Sequence, residues 1–127
     1  MSVIIKTIPR KNLRNLADPP KHYAIVKAQR KTDLDTLAKL IARESTVSRT
    51  DVYAVLLAML DTIVLELSEG RSVDLGKLGS FGITVKSNGE LTADLVTGHT
   101  VKGAKVVYRP GKEVRTMIQN LQFEKES

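Results

Sequence analysis

Val52-Tyr-Ala-Val-Leu-Leu-Ala-Met-Leu-Asp-Thr-Ile-Val-Leu-Glu-Leu67 is the stretch on which the fold turns, because thirteen of its sixteen residues are apolar and only Asp61, Thr62 and Glu66 are not. Ser48 with Asp51 three residues later is a capping arrangement ahead of it, and Gly70 is a stop signal behind it, so the spacing predicts a helix over 48–69. A helix apolar nearly all round must be covered nearly all round. With sixteen residues and two acids it falls short of the roughly 20 apolar residues that span a bilayer. One chain of 14.0 kDa with a single other clear helix has little material for the cover. A second copy is the economical solution, and the expected contact is an obligate dimer through Val55, Leu56, Met59, Leu60, Ile63 and Val64. The alternative is that the sheet and short helices of one chain suffice.

Upstream, Leu34, Leu37, Ala38, Leu40 and Ile41 recur at helical spacing, with Thr32 and Asp35 as the capping pair, which predicts a helix from about 33 to 44. Ser45-Thr-Val47 is a brief connector. Before that helix, Val3–Ile8 and Tyr23–Ala28 are β-prone runs around a polar stretch, and Asp18-Pro19-Pro20 marks the loop of a hairpin. Downstream of Gly70, Val73 and Leu75 alternate toward the step Gly76-Lys-Leu-Gly-Ser-Phe-Gly82, then Ile83 and Val85. Glycines within a strand pattern mark bulges or close backbone approach. Asn88-Gly89 reads as a tight turn, 90–103 carries weak patterning, and Val106-Val-Tyr108 resumes as strand. Pro110-Gly111 interrupts, and Val114, Met117, Ile118 and Leu121 space a short amphipathic helix over 113–121, followed by a polar tail in which Phe123 docks.

The net charge of +6 is unevenly distributed. Residues 1–31 hold eight cations against Asp18 alone, a net of +7, while 32–85 carry −3 and 86–127 carry +2. Such a balance favours a polyanion partner through long-range attraction, nucleic acid or anionic lipid, although lysines also serve simply to solvate a surface. A content of 42% hydrophobic and 27% charged residues is that of a chain able to bury a core. With no cysteine and only His22 and His99, disulfides, thiol nucleophiles and multi-histidine metal clusters are excluded. The opening Val3-Ile4-Ile5 is far shorter than a secretory apolar core, so a cytoplasmic address is expected.

Enzyme signatures fail on residue supply. Gly79-Ser80-Phe81-Gly82 would need a glycine at Leu78 to form a nucleophile elbow, and Gly70 to Lys77 misses phosphate-loop spacing by one residue. Gly76-Lys77-Leu78-Gly79 fits a G-x-x-G clamp, but that clamp joins two helices and this one joins strands. The helix pair 33–44 and 48–69 suggests a helix-turn-helix, whose second helix must offer polar side chains to base edges; this one offers Val, Leu, Met and Ile. No catalysis, cofactor, metal or small-molecule substrate is expected.

The order of parts, two helices in tight succession, Gly70-Arg-Ser-Val-Asp-Leu75, Gly79-Ser-Phe81, an interrupted strand pair and Tyr108-Arg-Pro-Gly-Lys-Glu-Val114, resembles the bacterial histone-like HU and integration host factor (IHF) family over about residues 32–121. The basic hairpin before it looks like an HU-like subfamily with an N-terminal extension. The resemblance implies an α+β fold: an intertwined homodimer of two helices followed by a β-sheet saddle with a shortened arm and a short C-terminal helix, Phe81 joining the dimer interface. The division expected is a basic N-terminal hairpin over 1–31, an HU-like DNA-binding and dimerisation domain over 32–121, and a tail over 122–127. It also implies a nucleoid-associated, architectural protein that condenses double-stranded DNA through phosphate contacts with little base readout. Members of that family carry arms tipped by a proline that wedges between base steps, whereas 86–105 has no proline, no arginine and a net charge of only +1. The cations expected to meet DNA are Lys86, Lys102 and Lys105 at the arm base and Arg109, Lys112 and Arg115 at the strand-to-helix step, with the 1–31 segment as the largest reservoir. The competing reading is an HU-like dimerisation or protein-interaction module that has lost DNA contact. RNA binding is weaker, since the five aromatic residues form no stacking platform.

Overall fold

In the computed structural model, which describes residues 2–127, the long helix α2 covers Arg49–Ser68. Ser48 Oγ accepts the Asp51 N–H at 3.2 Å, as the capping pair predicts. Beyond Ser68 the chain reverses through Gly70 at φ 79°, where the N–H groups of Gly70 and Arg71 donate to Leu67 O (3.0 Å) and Glu66 O (3.1 Å). Glycine suits this left-handed position because a Cβ there would crowd the following carbonyl. The Arg71 guanidinium returns to the Glu66 carboxylate and holds it below the usual carboxylate range.

Helix α1 (Leu34–Arg43) is capped by Asp33, not by the expected Thr32 and Asp35 pair. The Asp33 carboxylate accepts the Thr36 N–H at 2.9 Å, and that bond lowers its pKa. Adjacent oxygen acceptors differ by one residue in register, and only the backbone decides which faces the free N–H groups. Asp35 instead pairs with Arg49, tying the first turn of α1 to the start of α2.

Two units divide the chain: Thr32–Thr116, and residues up to Lys31 together with Met117–Ser127. In the latter, β1 (Val3–Arg10) and β2 (Lys21–Val26) pair antiparallel from Ile5↔Val26 to Arg10↔Lys21, the expected hairpin. Met1, the first residue of the expected extension, lies outside the described residues. The expected polar tail is instead partly a strand. The last of the six strands among the described residues, β6 (Phe123–Lys125), lies parallel to β1, with Val3 N–H donating to Gln122 O (2.7 Å) and Glu126 N–H to Ile5 O (2.9 Å). Lys27 and Glu126 add an ion pair at 3.0 Å. Pro9 is tolerated in the central strand because β6 borders only Val3–Ile5, leaving the opposite edge at Pro9 without a ladder partner.

The larger unit carries the second sheet, β3 (Val73–Asp74), β4 (Gly79–Ser87) and β5 (Val101–Pro110) in that order, and α3 (Lys112–Gln119) follows, its first residues in this unit and Met117–Gln119 in the other. Between β4 and β5 the Asn88-Gly89 tight turn is not formed. Only Gly70, Gly76 and Gly79 have positive φ among the described residues, and residues 88–100 instead make a longer connection with two short 3-10 turns, closed by Asn88 N–H on Thr100 O at 3.0 Å. A type I′ turn needs positive φ at both central residues, which Gly89 does not adopt.

Two glycines lock the unit's central junction. A Cβ on Gly79 would stand 2.2 Å from Arg109 O, and one on Gly111 would stand 2.3 Å from Lys77 O. Tyr108 Oη donates to Leu78 O at 2.6 Å and Gly111 N–H to the same oxygen at 3.2 Å. The glycine-rich step therefore marks close backbone approach, as its pattern suggests.

Burial is sparse. Ala38 and Val52 are the only buried hydrophobic residues among those described. Of the six residues expected at the dimer contact, Leu56 and Ile63 are half-buried within their own chain, on the side of α2 that holds Val52, whereas Val55, Met59, Leu60 and Val64 are exposed. Tyr53 and Leu57, absent from that set, join Leu60 and Val64 at helical spacing to form an exposed apolar stripe.

Candidate nucleic-acid interface

Strand alternation sorts the second sheet into two chemically distinct faces. The register pairs Ser80 with Arg109, Gly82 with Val107, Thr84 with Lys105 and Lys86 with Gly103. Because successive side chains on a strand point to opposite sides, these eight residues share one face. Phe81, Ile83, Val85, Val106 and Tyr108 occupy the other, where the rings of Phe81 and Tyr108 meet at 5.1 Å. Phe81 is thus anchored within its own chain, on a face whose Val85 and Val106 remain 61% and 55% exposed.

Three of the six expected cations, Lys86, Lys105 and Arg109, lie together on the polar face and are exposed. Lys102 falls where the register slips, between the pairs Lys86↔Gly103 and Ser87↔Val101, and has no ladder partner that assigns it to either face. Lys112 and Arg115 are exposed on the first turns of α3, three residues apart and so on one side of the helix. Among the described residues none of these six cations lies within ion-pair distance of a carboxylate; Arg49, Arg71 and Lys77 do, with Asp35, Glu66 and Glu113. An unpaired cation attracts an external anion without first giving up an internal partner.

Sequence reasoning from charge alone missed the hydroxyls. Ser72, Ser80 and Thr84 line a small hollow with Arg109, Ile83 and Val107 around Gly82, over which the Ser72 hydroxyl sits. Hydroxyls and arginine together are the groups that bond phosphate oxygens. The period-two run Ser80-x-Gly82-x-Thr84-x-Lys86 carried the signal. Among the described residues no group of three or more potential metal ligands occurs, and no helix is long and apolar enough to cross a membrane.

Two helices followed by a three-stranded antiparallel sheet with a terminal helix, and cations gathered on one sheet face, define an HU-like α+β domain. The chain belongs to the family described as an HU domain fused to a winged helix-turn-helix, immunoglobulin-like or glycine-rich motif (HU-HIG), which it matches over residues 1–125. The match includes the first strands and β6, outside the 32–121 stretch that the motifs alone cover. Its fold is also that of a solved structure from Bacteroides vulgatus ATCC 8482, described as a candidate bacterial DNA-binding protein, with a TM-score of 0.63 at 15% identity. The alignment covers 98% of this chain and 49% of that one, so the chain spans about half its length. No curated protein matches.

Proposed function

We propose that the protein is a non-sequence-specific, architectural binder of double-stranded DNA that acts as a homodimer in the bacterial nucleoid, without catalysis or cofactor. The observation that carries the reading is the sheet face on which exposed Lys86, Lys105 and Arg109 stand with exposed Thr84 and half-buried Ser80, the three cations having no carboxylate partner among the described residues. It offers charge and hydroxyls to phosphates and no amide or carboxylate to read adenine or cytosine, and Arg109 is its single guanidinium that could pair with guanine, so discrimination between sequences is weak. Membership of an HU-domain family supports the same reading.

Titrating a labelled duplex between 50 and 200 mM salt tests it. The three cations of this face, doubled in a dimer, neutralise about six phosphates and by themselves give a log–log slope near −5 and roughly a thousandfold loss of affinity over that range; cations engaged elsewhere on the chain steepen it. Binding that ignores salt, or that is absent at 50 mM, rejects the proposal. Reversal of charge at Lys112 and Arg115 distinguishes it from a protein-interaction module, which would show the same negligible duplex affinity before and after.

The homodimer rests on the uncovered stripe of Tyr53, Leu57, Leu60 and Val64, together with Val55 and Met59. Fully covering an aliphatic side chain contributes about 1.5–3 kcal/mol. Covering the exposed halves of these six therefore contributes on the order of 5–9 kcal/mol per protomer, comparable with the whole stability of a small domain. Sedimentation should give a dimer at micromolar concentration and a melting temperature that rises with concentration. Leu60→Glu with Val64→Glu should dissociate it; a wild-type protein that sediments as a well-folded single chain contradicts the dimer.

A further inference from the structure

The loop between β1 and β2 holds two leucines that the described residues leave largely uncovered: Leu13 is 88% exposed and Leu16 is 74% exposed. They are displayed by an ordered scaffold. Two turns follow one another, Asn12 to Asn15 and Asn15 to Asp18, each closed by a backbone bond of 3.2 Å. In the first, Asn12 Oδ1 accepts the Arg14 N–H at 3.0 Å; in the second, Asn15 Oδ1 accepts the Ala17 N–H at 3.1 Å. The Asp18 carboxylate then takes both asparagine side-chain amides, at 3.3 and 3.2 Å. Leu13 and Leu16 occupy the same position in the two turns. This arrangement commits the loop's only acid to its own framework, leaving Arg10, Lys11, Arg14 and Lys21 around the leucines without an ion pair among the described residues. Arg10 and Lys21 are direct cross-strand partners, a like-charge juxtaposition that destabilises a hairpin unless an anion relieves it. The Arg10 guanidinium is steadied over the Tyr23 ring at 5.6 Å.

We infer that this hairpin tip is a wedge for duplex DNA, in which Leu13 and Leu16 enter at a base step from the minor groove while Arg10, Lys11, Arg14 and Lys21 hold the flanking phosphates. Apolar side chains inserted in this way unstack a step and kink the helix by roughly 20–90°. Charge complementarity selects nucleic acid as the occupant: the tip carries four cations and one internally bonded acid around an apolar element of two side chains, too small a face to hold a lipid surface by itself. The inference rests on the proposed DNA binding but places bending in a different element from the 88–100 connection.

The experiment measures energy transfer between the two ends of a doubly labelled duplex on adding the full chain, as wild type, as Leu13→Ala/Leu16→Ala and as Lys11→Glu/Arg14→Glu. Because both leucines are exposed, alanine removes no packing, and an unchanged melting curve verifies this. The wild type should bend the duplex. The leucine variant should keep its salt slope, lose about tenfold in affinity and leave the duplex straight, since wedging and phosphate contact are separate terms. The charge variant should bind with a shallower salt slope. A leucine variant that bends DNA like the wild type, or a wild type that binds without bending, overturns the wedge while leaving the proposed function standing. No duplex binding at all overturns both, and leucine-dependent capture by phosphatidylglycerol vesicles with leucine-independent DNA binding assigns the tip to a membrane and overturns the wedge.

Discussion

Gly79→Ala and Gly111→Ala should each destabilise the protein by at least about 3 kcal/mol, seen as a lower urea midpoint or as failure to fold. The obstacles are backbone atoms, which cannot swing aside as a side-chain tip would. At Gly79 a methyl group would lie 2.2 Å from Arg109 O and 2.8 Å from Gly111 N, in a residue at φ 124° that L side chains rarely adopt. At Gly111 it would lie 2.3 Å from Lys77 O and 2.7 Å from Lys77 C. Either change forces apart the two segments that Tyr108 and Gly111 join through Leu78 O. Because both act on one junction, the double variant should lose less than the sum of the singles. Gly98→Ala is the control: nothing lies within 4 Å of its added Cβ, so its change should stay within about 0.5 kcal/mol. Equal effects at Gly79 and Gly98 would show that the junction is not tightly closed. Arg109 and Lys112 flank this junction, so a glycine variant that still folds should also bind DNA more weakly.

Reversing Lys86, Lys105 and Arg109 together to glutamate should remove duplex binding, by at least about a hundredfold at 0.1 M salt, and flatten the salt dependence. The three side chains are exposed and pair with no carboxylate among the described residues, so their replacement breaks no ion pair and the unfolding midpoint should change little. Affinity is then the isolated readout. In a dimer the triple change converts six attractive sites to repulsive ones, a larger perturbation than any single lysine allows. Retained affinity with an unchanged slope would show that this sheet face makes no contact and would leave binding to α3 and the β1–β2 hairpin alone. Changing Lys102 alone should matter less, because the register slip leaves it outside the ordered row.

Local signals were legible where one residue suffices to produce them. Ser48 and Gly70 bracket α2 because a hydroxyl cap and a left-handed glycine act on their own neighbours. The expectation failed where competing local options were nearly equal, as between Thr32 and Asp33 at the start of α1, or where the chain forgoes a favourable turn, as at Asn88-Gly89. β6 was illegible because three residues carry no period, and their partners, Val3–Ile5, stand at the opposite end of the sequence.

By itself, then, the sequence determined the α+β element order as far as α3, the apolar excess of α2, the basic bias and the glycines that allow close approach, since these follow from periodicity, composition and the steric freedom of a missing Cβ. Only the tertiary structure decided which cations share a face. Strand register converts a one-residue offset into opposite sides of a sheet, so Lys86, Lys105 and Arg109 become neighbours of Ser80 and Thr84 through pairing across β4 and β5. It also decided that Leu13 and Leu16 face solvent from an ordered loop, because a leucine's exposure depends on what the rest of the chain brings near it.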